Sequence, residues 1–431
     1  MSRSKVLGSL LSVLLVTTAG GALGQDATGE AVFALTGTGG VSGFNLPAFD
    51  TGVFGHTAGG AMLGGMIGGN ITAGIGQMDD WDFLVSLSAF GAFGTGSSSW
   101  TDTFTSANGP VIVTGLTTPD AGSIVLAPGT ADDVTVTGAN GGLIDIDSAG
   151  GTNNVAAVTP SGPGFINGWA TTGVGSAAYG AIADDSGGIF IASGDIDGLS
   201  ITTDVRRTIA YGGADLTLGL AGQFNGETNV QVYAGPSFRG LGQGITTDIT
   251  IDIPEVLPSV LTHPEFKISV NDTLTSHYFG GVLGGSASFA TSPGMLFTLG
   301  LEGGVYSVHA NWSGRDTYST CCGAEGTPLS TVSPTLSVQG PTQTYDFGST
   351  IAFAARGNGA VTWALDENKS FSLGGSVEYL SRVATVNHSG LTQTNALSDD
   401  WTTATADTAA STFAWGDMWN FSITGSLTGH F

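Results

Sequence analysis

Seven residues, Asp215, Tyr233, Arg239, Glu302, Tyr306, Arg356 and Glu378, are charged or phenolic side chains set inside stretches that are otherwise apolar at every second position. Rows of such groups facing a water-filled bore set an ion preference; paired with one another they fill the bore as a salt-bridged plug. Both readings stand open on the sequence. Other chemistry is thinly represented. His56, His263, His277, His309, His388 and His430 are dispersed without a His-x-x-x-His pair, so zinc lacks its ligand spacing. His309 precedes Asp316 by seven residues, but one His and one Asp do not supply the several roles that catalysis demands. Neither a Gly-x-Ser-x-Gly elbow nor a phosphate-binding Walker loop occurs, and no enzyme activity, metal or cofactor is expected.

Two further features carry little. Cys321 and Cys322 are the only cysteines and are adjacent; neighbouring Cα atoms lie at ~3.8 Å, below the usual disulfide range. The acidic pieces Ala131-Asp132-Asp133, Ile144-Asp145-Ile146-Asp147 and Gly194-Asp195-Ile196-Asp197-Gly198 offer carboxylate oxygens to Ca²⁺. None completes a twelve-residue calcium loop, and solvated acidic loops are the plainer reading.

The elements that must position the seven residues show a period of two, the mark of strands with one apolar and one polar face. Val230, Val232, Ala234, Pro236 and Phe238 alternate with Gln231, Tyr233, Ser237 and Arg239. Met295, Phe297, Leu299, Leu301 and Val305 alternate with Thr298, Glu302 and Tyr306. The same holds for Phe83 to Phe93 and for Phe371 to Tyr379. Before each of these four strands stands turn chemistry: Met78-Asp79-Asp80, Asn225-Gly226-Glu227-Thr228, Thr291-Ser292-Pro293-Gly294 and Asp366-Glu367-Asn368-Lys369. The incoming partners alternate too, so four antiparallel hairpins are expected. A fifth, weaker one spans Val174 to Ala183 and Gly188 to Gly198. The hairpins are joined by long polar segments, 96–173, 240–275, 310–348 and 388–412.

Composition agrees. The chain holds 71 Gly, 22 Phe and only 10 Lys+Arg against 35 Asp+Glu, for a net charge of −25. Nucleic acid is excluded as a partner, because phosphate binding needs clustered cations. Disorder is excluded by the aromatic content, and collagen by the absence of a strict three-residue glycine period. The start reads as a secretory signal: Arg3 and Lys5, an apolar run from Val6 to Ala19, and small residues up to Gly24. That apolar run is too short for the ~20 residues of a membrane-spanning helix. The expected organisation is a signal peptide at 1–24 and a β-barrel at 25–431, with 96–173 as an extracellular insertion between barrel strands.

Short turns at one end and long loops at the other form the asymmetry of a transmembrane antiparallel barrel; a soluble β-sandwich is the alternative. The last strand alternates Trp419, Phe421, Ile423, Leu427 and Phe431 with polar residues and ends on an aromatic. In these features the chain resembles the outer membrane β-barrel proteins of Gram-negative bacteria. Adding a first strand through Ala31, Phe33 and Leu35 and the last strand to four or five hairpins gives an all-β barrel of ten or twelve strands, twelve being favoured; the resemblance implies short periplasmic turns and a place in outer membrane lipid and lipopolysaccharide. It implies insertion by the barrel assembly machinery, with Trp419, Phe421 and Phe431 in the assembly signal. Trp81, Trp363, Phe371, Tyr379, Trp415, Trp419 and Phe431 are expected in the interfacial girdles. The expected function is a porin-like passive channel, cation-preferring because of the acid excess. The alternative is a closed envelope barrel or adhesin whose insertion recognises a surface.

Overall fold

The computed structural model describes residues 33–431 apart from 79–80, 106–110, 117–123, 127–133, 138–142, 148–153, 159–163, 171–176, 185–186, 195, 225–227, 254–264, 293, 322–335, 395–403 and 406–408. The proposed signal peptide, Cys322, Ala131-Asp132-Asp133 and parts of three of the four turns lie outside the described residues. The fourth turn shows its chemistry. The Asn368 amide donates to Asp366 Oδ1 at 2.8 Å and holds that carboxyl below its ordinary range, and Lys369 Nζ stands 3.4 Å away.

Ten strands close a ring: β1 (Phe33–Asp50), β2 (Thr57–Met78), β3 (Trp81–Thr103), β4 (Ser200–Phe224), β5 (Thr228–Asp252), β6 (Glu265–Ser292), β7 (Met295–Cys321), β8 (Gln343–Asp366), β9 (Lys369–Ser389) and β10 (Ala410–His430). Each pairs antiparallel with its neighbours, and β10 closes onto β1 from Ala34↔His430 to Asn45↔Trp419. At the closing end Phe33 and Phe431 exchange two backbone hydrogen bonds, of 3.1 and 2.8 Å. The even count puts both ends on the side of the short turns, the periplasmic side of such barrels.

The expected twelve strands are ten because the fifth hairpin does not join the wall. Ala177–Asp184 and Gly187–Gly194 pair with each other, with Gly164–Ala170 and with Val111–Thr114, which in turn takes Thr392–Thr394. A second small sheet is made of Ala404–Thr405, Ile124–Leu126, Val134–Thr137, Leu143–Asp147 and Asn154–Val158. The barrel strands also run further than their apolar alternation suggests. β3 continues to Thr103 and β4 begins at Ser200, so the insertion covers 104–199 rather than 96–173. Much of 240–275 and 310–348 is likewise strand.

The reason is an inversion of polarity along each strand. On β6 the outward Phe279, Leu283 and Phe289 are exposed, but above them His277, Thr273 and Asn271 take the same face. The inward face changes oppositely, to buried Leu274, Val270, Ile268 and Phe266. From Phe289 to Phe279 is about ten residues, which at roughly 3.3 Å each and a tilt of about 40° gives an apolar band of ~25 Å. That matches the hydrocarbon band of an outer membrane barrel. Below the inversion the barrel has a lipid-facing exterior and a polar bore; above it, a polar exterior and an apolar core.

Two elements fill that upper core. The first is a ribbon made of the upper parts of β9 and β10. The β8–β9 pairing stops at Ala354↔Leu380 and the β1–β10 pairing at Asn45↔Trp419, while β9 and β10 remain paired up to Ser389↔Ala410. The ribbon leaves the wall at a bulge where Arg382 has φ 59°, and it crosses the bore. Gln243 Nε2 of β5 donates to the Ala384 carbonyl at 2.9 Å, and Tyr278 Oη of β6 to the Arg382 carbonyl at 3.1 Å. Val383, Ala384 and Val386 are fully buried. The second element is the sheet containing Val111–Thr114 and Gly187–Gly194. Phe190 packs 5.1 Å from the Phe266 ring, and the Leu116 amide donates to Asp316 Oδ2 at 2.5 Å. Gly188 and Gly115 lie so close to Tyr318 that a Cβ at either would collide with it. Burial of these aliphatic and aromatic side chains, about 1.5–3 kcal/mol each when complete, holds ribbon and sheet inside the barrel.

Candidate functional site: a charged cluster across the bore

Five strands present the charged residues to the bore within the apolar band. Strand register places Glu302, Arg356 and Glu378 side by side on β7, β8 and β9. On the other side β4 brings Asp215 opposite Ser237 of β5, with Arg239 one inward position above. Gly213 faces Arg239 across that pair, and a Cβ there would stand 2.6 Å from Arg239 Cδ. The missing side chain makes room for the guanidinium to swing into the bore.

Arg239 is the hub. Its side chain is 1% exposed, with Nη1 2.6 Å from Asp215 Oδ1, Nη2 3.5 Å from Glu302 Oε1 and Nε 3.8 Å from Glu378 Oε1. Nη1 also donates to Ser237 Oγ at 3.0 Å, and the guanidinium lies 5.0 Å from the Phe90 ring centroid. Tyr233 donates to Glu302 at 3.0 Å, and Tyr306 shares a 2.9 Å hydrogen bond with Ser237. Six of the seven candidates therefore form one network. The seventh, Arg356, makes no hydrogen bond or ion pair with any described residue, and its Nε is enclosed without a partner. Sequence reasoning missed Tyr211, which donates to Glu378 at 2.7 Å. It lies four residues from Asp215 on the same face, but the intervening Gly212-Gly213 interrupts the alternation that would have flagged it.

A small polar recess of about 20 Å³, room for a water molecule or so, lies beside and below Arg356, toward the periplasmic turns. Above the cluster a second buried pair fixes the ribbon. His388 Nε2 is 2.8 Å from Asp272 Oδ2, both side chains being 0% exposed. Trp312 Nε1 donates to Asp272 Oδ1 at 2.9 Å, and His388 Nδ1 is 3.1 Å from Ser411 Oγ. The His309 and Asp316 side chains point to opposite faces of β7: His309 stands outward, 3.7 Å from Asp346, and Asp316 inward with Tyr318 at 2.9 Å. At the rim His56 is 2.8 Å from Asp102 and stacks on Trp100.

The girdles form at both edges of the apolar band. Trp363 stacks on Phe371 at one edge, and Tyr379 packs on Trp419 at the other, with rings 5.9 and 5.1 Å apart. Trp415 does not join them, because it sits on the inward ribbon, 5.0 Å from Phe347. Trp419, Phe421 and Phe431 are all exposed on the outside of the ring. An unbroken ring of alternating strands with a lipid-height apolar band now stands complete. The chain has the architecture of an outer membrane β-barrel.

No protein-family model and no characterised protein matches the sequence. Among solved structures, the chain is similar to the outer membrane protease OmpT from Escherichia coli, with a TM-score of 0.32 and 11% identity over 94% of this chain and 98% of that one. It is also similar to a mutant of TodX, a monoaromatic hydrocarbon channel, with a TM-score of 0.23 and 8% identity over 93% and 90% of the two chains. A Pseudomonas aeruginosa FadL homologue gives a TM-score of 0.19 and 7% identity over 93% and 90%. At such values the assignment rests on the barrel's own geometry.

Proposed function

We propose that this protein is a closed-bore barrel of the bacterial outer membrane whose wall anchors a folded superstructure on the cell surface. The observation that carries this reading is the hub at Arg239, where one guanidinium with three carboxylates and two tyrosines spans the bore at mid-membrane. The ribbon and the sheet above add a second and third closure. The inserted residues 104–199 then act as a structured outer face, the kind of region that carries recognition. Outer membrane lipid and lipopolysaccharide surround the band. Insertion falls to the barrel assembly machinery, reading the outward Trp419, Phe421 and Phe431. The mature chain begins after a signal peptide cut near residue 24, and no enzyme activity is assigned. Refolded protein in a planar lipid bilayer should give no conductance steps above the bare membrane; regular unit steps would overturn the closed-bore reading.

One observation favours a second reading, a porin-like passive channel. The upper edge of β8, residues 343–353, keeps only its β7 partner among the described barrel strands, and the upper edge of β1 keeps only β2. These are the edges the ribbon would occupy if it swung back into the wall. That open state would conduct, and the acid excess gives it cation preference, checked by the sign of the reversal potential in a KCl gradient.

A further inference from the structure

Asp272, His388 and Ser411 form a connected row in the upper half, and the anchoring role above gives that row no chemistry. His388 Nε2 is 2.8 Å from Asp272 Oδ2, and Nδ1 is 3.1 Å from Ser411 Oγ. Wall and ribbon meet here: Asp272 lies on β6, His388 on β9, and Ser411 on β10 directly opposite His388. The three stand 116 and 23 residues apart in the chain, so no local motif announces them.

The protonation pattern follows from the partners. An ionised Asp272 only accepts hydrogen bonds, and its other oxygen is taken by Trp312 Nε1 at 2.9 Å. Imidazole Nε2 therefore donates to the carboxylate, which leaves Nδ1 of the neutral ring to accept from the Ser411 hydroxyl. Nucleophile, base and orienting group thus stand in line, the logic of a Ser-His-Asp site with the two ring nitrogens exchanged. Asp272 and His388 are fully buried, which holds the base in one tautomer. Gly314 leaves the room that this arrangement needs, since a Cβ there would collide with the Trp312 ring.

Ser411, by contrast, is partly exposed between the exposed Ala410 and Thr412. Phe431 N–H points to β1 and His430 N–H to the β9 side, so odd-numbered residues of β10 turn their amides toward β1. The bulge that frees the ribbon lies on β9 and leaves this alternation intact. Because β1 pairing ends at Trp419, the Ser411 amide lies on an edge that no described barrel strand covers, free to meet a developing oxyanion. Two positions along the same ribbon face, Phe413 stacks on Tyr345 at 3.9 Å and packs on Trp312 at 5.0 Å. That aromatic ledge suits an apolar acyl group.

From these observations we propose that Ser411, His388 and Asp272 form a hydrolytic site for carboxylic esters with an apolar acyl group, on the extracellular side of the bore. Ser411 Oγ attacks the ester carbonyl carbon as its proton passes to His388 Nδ1. The tetrahedral intermediate collapses, the bond to the alcohol oxygen breaks, and the alcohol leaves with that proton. Water then adds to the acyl-serine by the same route, releasing the carboxylic acid and restoring Ser411. Asp272 is the positioning residue.

The test is hydrolysis of p-nitrophenyl butyrate by the full refolded chain in detergent, with mass-spectrometric mapping of a fluorophosphonate adduct. Expected are turnover above the micelle blank, its loss by at least about a hundredfold in Ser411→Ala, and the adduct on Ser411. Asp272→Asn keeps the shape but donates to Nε2 and forces the ring proton onto Nδ1, so kcat should fall by at least about a hundredfold with KM unchanged. Ser313→Ala, outward on β7, should keep the parent's rate. Labelling of the parent needs no variant and decides the question if Asp272→Asn fails to refold. Turnover no higher than that of Ser411→Ala, a label elsewhere or absent, or a parental kcat in refolded Asp272→Asn would each overturn the proposal. Hydrolysis is read separately from conductance, so neither result prejudges the closed-bore reading.

Discussion

On β7, Leu301 and Val305 face outward while Glu302 and Tyr306 face the bore; a few residues higher, Ser313 and Arg315 face outward and Trp312 inward. The strand, its direction and its register with β6 are unchanged between the two stretches. What changes is the solvent. In the lower half the outside is lipid, so the polar side chains gather in the bore and satisfy one another there. In the upper half the outside is water, and the same strands enclose an apolar core as a soluble protein would. A β-barrel wall is thus indifferent to which face is apolar; what fills the interior differs accordingly, ion pairs below and ribbon and sheet above.

The contrast can be tested from both sides. Arg239→Ala leaves Asp215, Glu302 and Glu378 facing one another without their shared cation. Removing one partner of a buried ionic network costs about 3–5 kcal/mol. The urea midpoint for unfolding from lipid vesicles should fall accordingly, and an unchanged midpoint would mean the cluster is solvated rather than sealed. Next comes one substitution made in both halves. Leu301→Arg, on the lipid face, should cost roughly 2–4 kcal/mol, whereas Ser313→Arg, on the same face of the same strand, should stay within about 0.5 kcal/mol. Equal costs would erase the boundary between the halves. The smallest effect belongs to the hinge of the ribbon. Arg382 holds φ 59°, a conformation that costs a side-chain-bearing residue about 1 kcal/mol, so Arg382→Gly should be neutral or stabilising by less than that. A clear loss would show that the arginine side chain, not the backbone bend, sets the ribbon's path.

Much of the lower half was legible in the sequence because lipid imposes a strict pattern. Val230 to Arg239 and Met295 to Tyr306 alternate cleanly, and their turns carry recognisable chemistry, so hairpins, faces and most of the charged cluster followed. The upper half was not, since its outward rows, such as Ser97 and Ser99 on β3, have the composition of loops. The hairpin around 184–187 alternates like a wall strand, and only tertiary pairing with Val111–Thr114 and Gly164–Ala170 reveals it as part of the fill. The ribbon leaves just one local trace, the parity change at Ser381-Arg382-Val383. That Arg356 stands apart from its neighbouring glutamates depends on rotamers, which no pattern of residue types encodes.

The last strand, β10, is both the seam that shuts the ring and half of the ribbon that fills it. Thr36 and Thr428, which share a 2.9 Å hydrogen bond across that seam, are 392 residues apart in the chain. Neither the wall nor the ribbon can be finished without β10. Sealing and filling are thereby one event: a chain without β10 would be left with an unzipped wall and half a ribbon together, so such a product could not persist as a half-working pore.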